Sequence, residues 1–248
     1  MKKQTLLTVG LLFLVPLLLS ACLRVDTEIV VNADGSGILT VRTLAESSIS
    51  AFVEQQDTLS AREGFELIEA KPISNDAGWK GTLMRYRFKQ VEYVTCEDES
   101  FSDHTENADL TFRFRLEKGR RSVLIVSPEY DGVSFSQAIE RQPQIRVRNP
   151  EQAASLMMMS TMAPMFRGAR MSCVLKINGR VLEANADHRT GPETIMLIDI
   201  RMDELLADPS NVEQLTLGAV GIRNLARQGL TSFRMQNPME PLEINFIP

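Results

Sequence analysis

The sequence is poor in the residues on which most catalytic and metal sites depend. Its 248 residues include two histidines and three cysteines. His104 and His188 stand in polar stretches, and their distances from Cys96 and Cys173 do not match zinc-ligand spacing. The chain also lacks His-Glu-x-x-His, Gly-x-Ser-x-Gly and phosphate-loop motifs. We therefore predict a protein that is not an enzyme and that needs no cofactor or metal.

An excess of positive charge is also missing. The formal net charge is -5, and it becomes about -7 when the two lysines within residues 1–21 are set aside. A protein with net negative charge is repelled by the phosphate backbone of a nucleic acid and by an anionic lipid surface. We predict no nucleic-acid partner.

A long apolar run occurs only at the start of the chain. Lys2 and Lys3 precede the uncharged segment 6–21. That segment is shorter than the roughly 20 residues of a membrane-spanning helix, and it contains Pro16. A basic start followed by such a run is typical of an export signal. We expect residues 1–21 to be a signal peptide.

The apolar run ends at Leu19-Ser20-Ala21-Cys22, which resembles the bacterial lipobox. The resemblance implies diacylglycerol on the Cys22 thiol, cleavage before Cys22 and acylation of the new amine. Two or more acyl chains hold a protein stably on a membrane. The alternative is an ordinary signal peptide with a chance cysteine.

The same resemblance implies a place in the cell envelope, with the lipid bilayer as a partner through Cys22. Leu23 follows the cysteine where a retained inner-membrane lipoprotein of enterobacteria usually has Asp. In a Gram-negative cell we expect the periplasmic face of the outer membrane. In a Gram-positive cell we expect the outer face of the plasma membrane.

The remainder of the chain predicts an α+β fold with a mainly antiparallel sheet, built from hairpins and covered by a few helices. Alternating apolar residues and turn signals indicate where the strands lie. We predict hairpins over 23–45, 110–130 and 172–184, further strands over 65–70, 80–88 and 194–200, and an edge strand over 242–248. Helices are predicted over 45–62, near 203–207 and from 212 onward. We divide the exported part into a domain, 22–205, and a C-terminal extension packed on it, 206–248, without a transmembrane segment.

Residues 32–37 have two interpretations. Asn32, Asp34, Ser36 and Gly37 match the first positions of a calcium-binding EF-hand loop, but its twelfth position is Thr43 instead of Glu. Asp-Gly between two β-rich runs favours a hairpin turn. We predict the turn.

A methionine-rich segment over 150–168 is uncharged from residue 153 to residue 166. Its apolar residues would surround a helix on all sides, so the helix is either buried or in contact with something apolar. Three interpretations stay open: a core helix, an acyl-chain pocket or membrane contact, and a thioether Cu(I) site. The residues of the possible apolar contact are Met157, Met158, Met159, Met162, Met165 and Phe166.

Two cysteines lie beyond the signal peptide. Outside the cytoplasm Cys96 and Cys173 can form a disulfide, which would close a long loop. The alternative is a pair of isolated buried thiols.

The order of these motifs resembles that of the LppM-type bacterial lipoproteins. A lipobox precedes a hairpin with Asp-Gly-x-Gly at Asp34–Gly37, and a Gly turn follows within Ile177–Ile200. The resemblance covers roughly Cys22–Arg201 and implies a fold likened to lipid-binding proteins. The chain differs from the mycobacterial form because no C-terminal membrane segment follows. The matching positions are structural turns, so no ligand residues carry over.

Together these patterns predict a membrane-anchored envelope lipoprotein. We expect a binding module for an envelope lipid or glycolipid. The alternative is a structural or assembly lipoprotein that docks on a protein partner.

Overall fold

The computed structural model describes residues 23–46, 64–94, 110–141, 161, 166–215 and 217–248. These residues form two β-sheets and a small group of helices. The fold class predicted from the sequence, α+β with mainly antiparallel strands, is confirmed.

The first sheet has eight strands in the order β10-β11-β8-β1-β2-β4-β3, and β12 adds to β11. All neighbours are antiparallel except β1 and β8, which run parallel. Its strands are β1 (Leu23–Asn32), β2 (Gly37–Ala45), β3 (Phe65–Ser74), β4 (Lys80–Phe88), β8 (Arg170–Asn178), β10 (Arg189–Gly191), β11 (Thr194–Arg201) and β12 (Phe233–Met235).

The second sheet has five strands in the order β5-β6-β13-β9, and β7 adds to β6. Its strands are β5 (Leu110–Glu117), β6 (Ser122–Tyr130), β7 (Val133–Ser134), β9 (Arg180–Ala184) and β13 (Leu242–Ile247). The predicted strand at 242–248 therefore exists, but it is not an edge strand. It lies between β6 and β9 and pairs with both.

The apolar faces of the two sheets pack against each other. Alternation along each strand sends every second side chain inward, and these side chains form one buried cluster. The first sheet contributes Ile29, Tyr86, Phe88, Leu175 and Ile177, and the second contributes Phe112, Phe114, Leu124, Ile244 and Phe246. We predicted one sheet covered by helices, whereas a second sheet covers the first.

Four helices occur in the described ranges: α1 (Phe135–Arg141), α2 (Met202–Leu206), α3 (Pro209–Leu215) and α4 (Gly218–Arg227). A short 3-10 turn, Val91–Tyr93, precedes the second sheet. The helices predicted near 203–207 and from 212 onward are present. The predicted helix over 45–62 lies almost entirely outside the described residues.

The hairpins at 23–45 and 110–130 form as predicted, with Leu23 opposite Ala45 and Leu110 opposite Tyr130. The hairpin predicted over 172–184 is wrong. β8 pairs with β1 and β11 in the first sheet, whereas β9 pairs with β13 in the second.

The chain changes sheets at Gly179, which explains the misleading Asn-Gly signal. A Cβ atom on Gly179 would stand 2.4 Å from the carbonyl oxygen of Ile247 in β13. Glycine is needed here because the backbone of another strand comes close, and not because a tight turn joins two paired strands.

Candidate functional site

The predicted lipidation residue, Cys22, lies outside the described residues, but the first strand begins directly after it. β1 starts at Leu23. Cleavage before Cys22 would therefore leave the whole of β1 in the mature protein.

A row of polar side chains crosses the first sheet on the face turned away from the second sheet. Asp26 of β1 stands beside Ser172 of β8, Ser172 is opposite Asp199 of β11, and Asp199 is opposite Arg234 of β12. The neighbours of Asp199 along β11, Ile198 and Ile200, belong to the core between the sheets. Because side chains alternate along a strand, Asp199 points to the outer face.

Asp199 is held by two arginines. Arg170 Nε donates a hydrogen bond of 2.6 Å to Asp199 Oδ1, and Arg234 Nη2 donates one of 2.8 Å to Asp199 Oδ2. The carboxylate side chain is 0% exposed, whereas the arginines are 28% and 36% exposed. A buried carboxylate thus has a charged partner on each oxygen, as a buried charge requires.

The ionised state of Asp199 is favoured despite burial. Burial by itself would raise the pKa of Asp199, but the hydrogen bonds and charges of Arg170 and Arg234 together lower that pKa below its ordinary value. The hydrogen bond with Asp199 likewise raises the pKa of Arg170. Asp199 is therefore a fixed anion at neutral pH and not a proton donor.

Asp26 makes a second set of contacts beside the first. Ser172 Oγ donates a 2.6 Å hydrogen bond to Asp26 Oδ1, and Arg24 Nε donates one of 2.8 Å to Asp26 Oδ2. We call the six residues the polar cluster: Arg24, Asp26, Arg170, Ser172, Asp199 and Arg234. The cluster links four strands of the first sheet, and its two carboxylates have their charges compensated from within.

Sequence reasoning missed this cluster, although one signal was present. The segment "TIMLIDIR" is a strand with a single acid among apolar residues. A charge in such a strand has to be paired when it is buried. The pattern therefore predicts a paired carboxylate at Asp199 but does not identify its partners.

Of the six residues proposed for apolar contact, the structure describes one. Met157, Met158, Met159, Met162 and Met165 lie outside the described residues. Phe166 is described, and it is buried in a small apolar cluster with Ala169, Leu206 and Val212. At that one position the side chain packs inside the protein.

The other sequence-predicted residues are distributed over the fold. Cys173 is buried in β8, while Cys96 lies outside the described residues, so the disulfide stays a prediction. His104 also lies outside them. The backbone oxygen of His188 accepts hydrogen bonds from Met196 N and Gln236 Nε2, at 3.0 and 3.1 Å.

Residues 32–37 form the predicted turn. Asn32 N donates to Ser36 O at 2.8 Å, and Asp34 Oδ1 accepts from Ser36 N and Ser36 Oγ at 3.0 and 2.7 Å. These hydrogen bonds lower the pKa of Asp34. Thr43, the twelfth position of the EF-hand reading, pairs with Val25 far along the hairpin. The EF-hand interpretation is wrong because strands, not helices, flank the turn.

No helix within the described ranges is long and apolar enough to cross a membrane. In the same part of the chain, no group of three or more His, Cys, Asp or Glu side chains is arranged to hold a metal ion.

Comparison with known proteins gives one structural similarity. No protein-family model and no curated protein matches the chain. The chain is similar to the folded domain of the LppM protein of Mycobacterium tuberculosis, solved by NMR, at 12% sequence identity and a TM-score of 0.38. The match covers 91% of this chain and 90% of the other.

The polar cluster leads to a stability prediction for Asp199→Asn. Asparagine leaves two partly buried guanidinium groups without their anion, so we expect a loss of about 2–4 kcal/mol in the free energy of unfolding. Glu66→Gln is the matched control because it removes the acid of an exposed ion pair. The side chain of Glu66 is 65% exposed and that of its partner Arg87 is 57% exposed. That change should cost less than about 1 kcal/mol. Urea unfolding of both variants at pH 7 measures the difference.

The same variants predict a pH dependence. A carboxylate whose pKa is lower in the folded state stabilises the fold above its unfolded pKa, and this contribution fades as pH falls towards the folded pKa. The advantage of the wild type over Asp199→Asn should therefore stay constant from pH 7 to about pH 4 and shrink below it. Equal losses in Asp199→Asn and Glu66→Gln, or a constant difference down to pH 2, would contradict the assignment.

Proposed function

We propose that the protein is a lipoprotein of the cell envelope, held on a membrane by acylated Cys22, whose exported domain is a non-enzymatic binding module. The observation that carries this proposal is the start of β1 at Leu23. A signal peptide has to be removed without damage to the fold that follows it.

The proposed ligand is an envelope lipid or glycolipid. An acyl chain needs an apolar surface of its own, and the facing sides of the two sheets are already filled by each other. Phe114, Leu124, Leu175, Ile244 and Phe246 are all at most 1% exposed there. The proposed contact is therefore the methionine segment, whose last apolar residue, Phe166, is buried beside α2 and α3.

Docking on a protein partner is the second proposal, and the filled core supports it. Apolar side chains exposed on an outer surface can mark a docking site for a partner. The large apolar side chains that the described residues leave exposed are Leu67, Tyr93 and Leu182, at 39%, 52% and 39%. They occur on β3, in the 3-10 turn and on β9.

The anchor predicts the behaviour of Cys22→Ala. When the full chain is produced in a bacterial host, the wild type should partition into the detergent phase of a Triton X-114 extract. Cys22→Ala should move to the aqueous phase or keep its signal peptide, because the thiol that receives diacylglycerol is gone. Cys96→Ser is the control and should partition like the wild type. Detergent partition of a processed Cys22→Ala protein would rule the anchor out.

The ligand proposal predicts lipid adducts on residues 23–248, exported to the periplasm without an anchor. Native mass spectrometry should show added masses that disappear after organic extraction, and the released lipid identifies the ligand class. A bare polypeptide mass, unchanged after incubation with total envelope lipid, would end the lipid proposal. It would leave docking on a protein partner.

A further inference from the structure

Several strands of the first sheet have their first or last residue at the level where β1 begins. Leu23 is opposite Ala45 of β2, which is in turn opposite Lys80 of β4. One residue further along, Arg24 is beside Arg170 of β8, which is opposite Arg201 of β11. We call this boundary the Leu23 end of the sheet.

The parallel pairing of β1 and β8 brings two distant parts of the chain to this end. Arg24 and Arg170 are register partners. Gly168 precedes Arg170 by two residues, as Cys22 precedes Arg24 by two. The chain therefore enters β8 on the side from which it leaves the proposed anchor. An antiparallel pair would have placed Gly168 at the other end.

Trp79 also lies at this end, just before β4. Its position is fixed by the preceding turn, because Trp79 N donates to Asn75 Oδ1 at 3.0 Å and Asn75 N donates to Trp79 O at 3.0 Å. A Cβ atom on Gly168 would be 3.1 Å from Trp79 Cζ2. The half-buried indole ring thus packs on the backbone that enters β8, outside the strand ends of the sheet.

We propose that the Leu23 end lies on the phospholipid headgroup layer, with Trp79 at the membrane interface. This inference rests on the proposed acylation of Cys22. Consecutive Cα atoms are about 3.8 Å apart, whereas the headgroup region of one leaflet is about 5–7 Å thick. Because β1 starts at Leu23, no linker separates the anchor from the sheet. Tryptophan is also the side chain that favours this interface.

Most of the arginines at this contact are already paired within the protein. Three arginines at the Leu23 end have acidic partners on the protein: Arg24 with Asp26 at 2.8 Å, Arg170 with Asp199 at 2.6 Å, and Arg201 with Glu204 at 3.0 Å. Lys80 and Arg167 are exposed at the same end. Guanidinium groups that are already paired gain little from lipid phosphates. The covalent anchor holds the protein on the membrane without an anionic lipid, so zwitterionic phosphatidylcholine is a sufficient membrane for the test.

The opposite end of the molecule supplies a control position. β1 spans ten residues, or about 30 Å, and ends in the turn that contains Gly35. A Cβ atom on Gly35 would be 3.6 Å from Lys118 Cε, so the turn between β5 and β6 lies at that far end. Arg120 is exposed in the same turn. A tryptophan placed there would be far from the membrane.

Quenching of the chain's single tryptophan tests the proposal directly. The full-length acylated protein is reconstituted into phosphatidylcholine vesicles that contain lipids brominated on the acyl chains, and vesicle flotation confirms attachment. We expect Trp79 to lose much of its fluorescence relative to vesicles without bromine. The double variant Trp79→Phe, Arg120→Trp should float equally well and keep its emission. Trp79→Phe, Lys118→Trp serves in its place if that variant does not fold.

Each outcome separates this inference from the proposal on which it rests. Flotation with unquenched Trp79 overturns the orientation and leaves the anchor intact. Stronger quenching at position 120 than at position 79 would show that the far end faces the lipid. If the wild type floats no better than Cys22→Ala, the anchor itself fails, and the orientation fails with it.

Discussion

The parallel contact between β1 and β8 is the constraint on which the rest of the structure depends. It joins residues 146 positions apart, through hydrogen bonds from Ser172 to Asp26 and from Asn178 to Asn32. Once β8 lies beside β1, β11 and β12 can extend the first sheet. The end of β8 is then where the chain crosses at Gly179 into the second sheet. Such distant pairing costs loop-closure entropy, so strong local interactions are needed to hold it.

The polar cluster stabilises this strand pairing on the outer face of the first sheet. The core between the sheets stabilises it on the inner face. Asp199 joins β11 to Arg170 of β8 and to Arg234 of β12, while Asp26 joins β1 to Ser172 of β8. These contacts are directional and fix the register. The apolar cluster between the sheets is not directional, but it removes much more surface from water. Register and burial therefore have separate physical origins in this protein.

Local patterns predicted the local elements well. Alternation along 23–45 and 110–130 gave both hairpins, and the alternating apolar residues of β13, Leu242, Ile244 and Phe246, made it recognisable as a strand. The pairing of distant strands had no local signal, so the exchange of β9 into the second sheet was missed at Gly179. Asn-Gly favours a hairpin turn because glycine tolerates the backbone angles of that turn, but Gly179 is needed because it has no Cβ atom where the backbone of Ile247 comes close. The partners of Asp199 likewise depended on pairings that sequence spacing does not encode.

The proposed lipid anchor would connect this fold to a place in the envelope, and the start of the mature chain tests that proposal most directly. Trypsin cuts after Arg24, so protein extracted from membranes should release a short peptide that begins at Cys22. Mass spectrometry of that peptide should find diacylglycerol on the thiol and an acyl group on the amine. An unmodified peptide from residue 22, or a mature chain that begins at another residue, would contradict the account.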